Sequence, residues 1–254
     1  MERLDNPVRP EDRLLPRTVP LDRRWVSRLM DAAYDLLTNA VQNLEPDEVI
    51  PWGAYVAGAV VTLPGLERTH GQRTRLVPEV QLTLRTRPRP GGRMMFSGQM
   101  TEPRGKIPHL EVHLPGGIGR EGWEHLLSGE APRLIRSVLI HELTHVVDNA
   151  VEDSAEDYVQ AEHGGMQAYV NQGVEWRAIL PQILHEVAIS ARFHPGAARR
   201  SILSKGAYVE ALLLRSPSWE TFGRYVSDKN HRILLVTLAA VLTREGLLDT
   251  FDDR

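Results

Sequence analysis

Two histidines stand four residues apart in Ser137-Val-Leu-Ile-His141-Glu142-Leu-Thr-His145-Val-Val-Asp148, with a glutamate directly after the first. On a helix, positions i and i+4 share a face about one turn apart, so both imidazoles can reach one metal ion. Imidazole nitrogen suits zinc, and the intervening carboxylate can take a proton from a water that such an ion acidifies. With ten histidines in 254 residues, about 0.03 matches to this pattern are expected by chance. Chance is a poor account of it.

The elements around these residues follow from hydrophobic spacing. Leu134, Ile135, Val138, Leu139, Ile140, Leu143, Val146 and Val147 form a nearly continuous apolar run, so a helix over 133–150 is buried on most sides. Polar groups carried into such a place need partners. Further helices are expected over 166–180, 182–192, 206–215 and 230–245, with Pro181 opening a new segment. Upstream, Trp25, Leu29, Ala32, Ala33, Leu36, Leu37 and Val41 predict an amphipathic helix that Asp22 can cap. Between Pro51 and Pro115 the period is that of sheet, with strands over 54–61, 79–85, 94–100 and 109–114 and a turn over 86–93. Four prolines within residues 1–21 suit an extended arm. Strands followed by helices predict an α+β fold, one domain over 22–254 with a small mixed or antiparallel sheet ahead of a mostly helical half.

His141-Glu-Leu-Thr-His145 resembles the signature of zincin metallopeptidases, and the strand-then-helix order around it is similar to their N-terminal half. The resemblance covers about residues 75–190 and implies a zincin-like fold, a Zn2+ cofactor, a peptide or protein substrate and Glu142 as general base. It also implies an edge strand above the active helix that binds extended substrate by strand addition, for which His109–Leu114 is the nearest candidate. Val-Val-Asp-Asn-Ala after His145 lacks the glycine and histidine of the metzincin extension. The remaining gluzincin branch takes a glutamate from a later helix. Tyr169…Glu175-Trp-Arg-Ala178 looks like the third-ligand helix of lethal-factor-like and related bacterial gluzincins, which implies His141, His145 and Glu175 as ligands. Gly173, unfavourable in a helix interior, fits a helix that must approach the histidine helix closely.

Glu162, His163 and Glu186 are rivals for the third position, in that order. Asp148 shares the histidine face; ligation as in the aspartate-using zincins lacks their glycine-containing extension here, which leaves orienting a ring by accepting its second N–H, or facing solvent. Tyr169 is the candidate oxyanion donor, with Tyr158 and His185 behind it. The acidic connection from Glu152 to Glu162 reads as a solvated helix face; the alternatives are a preference for cationic substrates or a gate folded against the arginine-rich strand region.

Composition sets the outer bounds. The chain has no cysteine, which removes disulfides, thiolate metal sites and cysteine nucleophiles together. A net charge of −3 does not suggest a nucleic-acid binder. Locally, nine basic residues between Arg68 and Lys106 face two acidic ones, which reads as a solvated sheet face with a charged loop or, as the alternative functional site, a basic groove for nucleic acid or acidic substrate. A zincin scaffold kept for binding or assembly without turnover is a second alternative. The start of the chain shows no apolar leader and no run approaches about 18 apolar residues, so no membrane span and a cytoplasmic location are expected.

Overall fold

Helix α1 (Arg23–Gln42) forms where the spacing predicts it and buries Trp25, Val26, Leu29, Met30, Ala33, Leu37 and Val41 along one face. At its end, where carbonyls lack partners inside the helix, the Arg120 guanidinium donates to the carbonyl oxygen of Gln42 and to that of Leu44 just beyond. The computed structural model describes residues 23–63, 67–70, 73–76, 79–88, 96–101, 107–149, 161–193 and 205–248. The fold is mixed α+β with small sheets, as expected, and contacts group the chain into two compact units, one within Pro20–Asp153 and one within Ser154–Arg254. Residues 1–21 and Asp22 lie outside the described residues.

In the first unit the strands are β1 (Val49–Ile50), β2 (Tyr55–Thr62), β3 (Glu67–His70), β4 (Arg73–Leu76), β5 (Glu79–Thr86), β6 (Ser97–Thr101), β7 (His109–Leu114) and β8 (Ile118–Gly119). A four-stranded mixed sheet runs β2-β5-β7-β6, with β5 and β7 parallel and the other pairs antiparallel. Strands β1 and β8 pair separately, as do β3 and β4. Alternation is clean in β7: Leu110, Val112 and Leu114 are buried, whereas His109, Glu111 and His113 are half-buried on the other face. Helices α2 (Arg120–Ser128) and α3 (Ala131–Asn149) follow, and α3 packs on α1, β6 and β7.

One strand assignment is corrected. His109–Leu114 was expected at the sheet edge, but β7 is interior, hydrogen-bonded to β5 on one side and β6 on the other. The edge strand beside α3 is β6, Ser97-Gly-Gln-Met-Thr101, which is short and largely polar. Such a sequence tolerates an edge, whereas the alternating Leu and Val of β7 gain from neighbours on both sides.

The second unit is helical: α4 (Ala161–Asn171), α5 (Gly173–Phe193), α6 (Lys205–Leu213), α7 (Pro217–Phe222), a 3-10 turn (Gly223–Tyr225) and α8 (Asp228–Arg244). Its core gathers Trp176, Ile179, Ile183, Leu184 and Val187 of α5 with Val209, Leu212, Leu234, Leu238 and Leu242. Ser216 Oγ accepts the Trp219 N–H at 3.0 Å to cap α7, and Ser227 Oγ accepts the Asn230 N–H at 3.4 Å to cap α8.

Two expectations fail here, for physical reasons. The helix expected over 166–180 is broken after Asn171, because that side chain is recruited elsewhere: Nδ2 donates to Tyr225 O at 2.7 Å and Oδ1 accepts from Ser227 N at 2.8 Å. Helical bonding resumes with Trp176 N donating to Gln172 O at 2.9 Å. Gly173 is therefore the exposed first residue of α5, not a glycine in a helix interior. Conversely, Pro181 does not open a segment but sits inside α5. A proline there removes one helical bond at a cost of about 3 kcal/mol, which burial of Ala178, Ile179, Ile183, Leu184 and Val187 on both sides of it offsets. Among the described residues no helix is long and apolar enough to cross a membrane.

Candidate metal centre

Helix α3 carries the paired histidines, and its apolar positions fix which way they point. Ile135, Leu139, Ile140, Leu143, Val146 and Val147 are all at most 1% exposed, so the helix is anchored and His141 and His145, one turn apart, project from the same remaining sector. Within that sector His141 Nε2 and His145 Nε2 are 3.1 Å apart, with the rings edge-on at 77° and their centroids at 4.8 Å. His145 is buried at 9% exposure and His141 is half-buried. Glu142 is buried at 5% exposure. Thr144 Oγ1 donates back to Ile140 O at 2.8 Å, which satisfies the hydroxyl without using a site residue.

Glu175 occupies the first turn of α5 and is 1% exposed. One ligand atom from each of His141, His145 and Glu175 lies within 4.8 Å of the others, so this group could hold a metal ion. The donor set passes a simple test of fit. Two imidazole nitrogens sharing an ion tetrahedrally, at about 2.0–2.1 Å each, stand roughly 3.3 Å apart, and the observed separation is 3.1 Å.

The edge strand contributes a residue that the motif does not contain. At Gly98 of β6, an added Cβ would lie 2.6 Å from Glu142 Cγ and 2.7 Å from Glu142 Oε1, and 2.6 Å from Val138 Cγ1. Only a residue without a side chain lets the strand approach the helix this closely. A lone glycine within a strand pattern is the sequence signal that could have found it.

The other candidates fall differently. Glu186 is engaged within the second unit, where its carboxylate accepts from Ser216 Oγ at 2.5 Å, Ser218 Oγ at 2.7 Å and Ser218 N at 3.0 Å. It anchors the start of α7 and is no longer a rival ligand. Tyr169 is half-buried against the helical core, and His185 is fully buried on α5. The side chains of Asp148, Glu162 and His163 lie outside the described residues, as do Tyr158 and the acidic connection before Glu162. Of the nine basic side chains between Arg68 and Lys106, only Arg85 and Arg87 are among those described. Comparison with protein-family models, with curated proteins and with solved structures gives no match.

Proposed function

We propose that this chain is a zinc-dependent peptidase with a zincin-like, gluzincin-type site, in which His141, His145 and Glu175 hold the ion and Glu142 moves the proton. The observation that carries the reading is the convergence of two imidazole nitrogens at 3.1 Å with a buried carboxylate in the same group. Two nitrogens and one carboxylate oxygen form the donor set of three-ligand catalytic zinc sites, whereas structural sites are usually closed by four. Bound there, zinc would supply Lewis acidity towards a peptide carbonyl and bring the pKa of a water down to about 7.

Glu142 accepts the proton of the attacking water on a carboxylate oxygen and delivers it to the departing amine nitrogen. Its burial excludes competing solvent, and the missing side chain at Gly98 leaves room for its carboxylate. Edge strand β6 offers backbone N–H and C=O groups to an extended peptide, which would set the scissile bond beside Glu142. Tyr169 is the proposed donor to the oxyanion.

The test is Glu142→Gln, which keeps size and removes basicity. Cleavage of a quenched fluorescent peptide library by the zinc-loaded protein should fall at least about 100-fold while zinc content stays at the wild-type level. Unchanged cleavage would refute the mechanism.

A further inference from the structure

On the face of the sheet away from α1 and α3, strand register places Ser97 of β6 directly opposite His113 of β7, with Glu111 two residues before it on the same side. Arg87 Nη2 donates to Ser97 Oγ at 3.0 Å, Ser97 Oγ lies 3.3 Å from His113 Nδ1, and Glu111 Oε1 lies 2.6 Å from His113 Nε2. The chemistry of the two ends fixes the protons between them. A guanidinium only donates, so Ser97 spends a lone pair on Arg87 and its hydrogen is free for His113. A carboxylate only accepts, so the imidazole proton sits on Nε2 and leaves Nδ1 as a base. Hydroxyl, base and orienting carboxylate thus stand in the order that nucleophilic catalysis requires. The imidazole and carboxylate side chains are 22% and 21% exposed, partly shielded yet reachable.

We propose that Ser97, His113 and Glu111 form a second, metal-independent site that hydrolyses carboxylic esters through an acyl-serine. Arg87 stands beside Oγ, where negative charge develops on the acyl oxygen. Arg85, exposed and in register with His113 from the other side, favours an acyl group that itself carries a carboxylate. In the first half-reaction Ser97 Oγ bonds to the acyl carbon and the ester C–O bond breaks. The serine proton passes to His113 Nδ1 and then to the leaving alkoxide. Water next attacks the acyl-serine and gives a proton to His113. The acid leaves as Ser97 Oγ recovers that proton.

The experiment treats the full chain with a fluorophosphonate probe and maps the adduct by peptide mass spectrometry, and separately follows p-nitrophenyl succinate and p-nitrophenyl acetate hydrolysis with and without 1,10-phenanthroline. The expected result is one adduct, on Ser97, with ester turnover that survives the chelator and falls at least about 100-fold in Ser97→Ala. Succinate should be preferred to acetate by about fivefold, a preference that Arg85→Gln removes. No adduct at Ser97, or full turnover in Ser97→Ala, overturns the assignment. Turnover abolished by the chelator also overturns it and leaves the zinc site untouched, so the two readings fail separately.

Discussion

Gly98 and Glu142 are in direct contact across the edge strand and the histidine helix, with so little room that a single methyl at Gly98 would lie 2.6 Å from Glu142 Cγ. That contact fixes the carboxylate from the strand side, while α3 fixes it from below. Gly98→Ala should therefore destabilise the protein by about 1–3 kcal/mol, the usual cost of overpacking. Urea midpoints check this, with Glu142→Ala in the same chain as the control. Because Glu142→Ala removes the atoms that Gly98→Ala meets, the double variant should lose less stability than the sum of the two single ones. Strict additivity would show that the two residues do not press on each other in solution.

Glu175→Gln keeps the shape of a side chain that is 1% exposed and removes its charge. Zinc affinity, measured by competition with a chromophoric chelator, should fall at least about tenfold while helical content is unchanged. Affinity equal to wild type would move the third ligand to Glu162 or His163.

Asn171 joins the end of α4 to the segment before α8: Nδ2 donates to Gln167 O and Tyr225 O, both at 2.7 Å, and Oδ1 accepts from Ser227 N at 2.8 Å and Asn230 Nδ2 at 3.0 Å. Asn171→Ala leaves several polar groups short of a partner, so unfolding free energy should drop by about 2–3 kcal/mol. A change within ~0.5 kcal/mol, as for an ordinary surface site, would contradict this role.

Burial in the helical core pushes the Tyr208 phenol above its ordinary value, although Arg215 pulls it partly back. The folded state therefore holds the proton more tightly than the unfolded one. That stability is complete below about pH 10 and is lost as pH rises from there through the raised folded value. Urea midpoints should fall more steeply above about pH 10 in the wild type than in Tyr208→Phe, and equal slopes would exclude Tyr208 as the cause.

How far the fold was legible depends on how local each signal is. The α3 pattern is carried within a few turns by Leu134 to Val147, and α1 by Trp25 to Val41, so both appear where spacing puts them. The break at Asn171 was not legible, since its partners Tyr225, Ser227 and Asn230 lie more than fifty residues away. Edge and interior strands were confused for the same reason: β5 pairs with β7 across a crossover, and no local pattern reports that pairing. Helix α2 carries one fully buried anchor, Trp123, too little for nine residues to show a period. At the site, the two histidines and the intervening glutamate follow from helix geometry alone. Gly98 meets Glu142 only through tertiary packing.

The most direct test of the zinc reading is metal content. After saturation with zinc and exhaustive dialysis, elemental analysis should find one equivalent per wild-type chain and none in the double variant His141→Ala/His145→Ala. A wild-type protein that emerges without zinc, or a double variant that keeps a full equivalent, would contradict it.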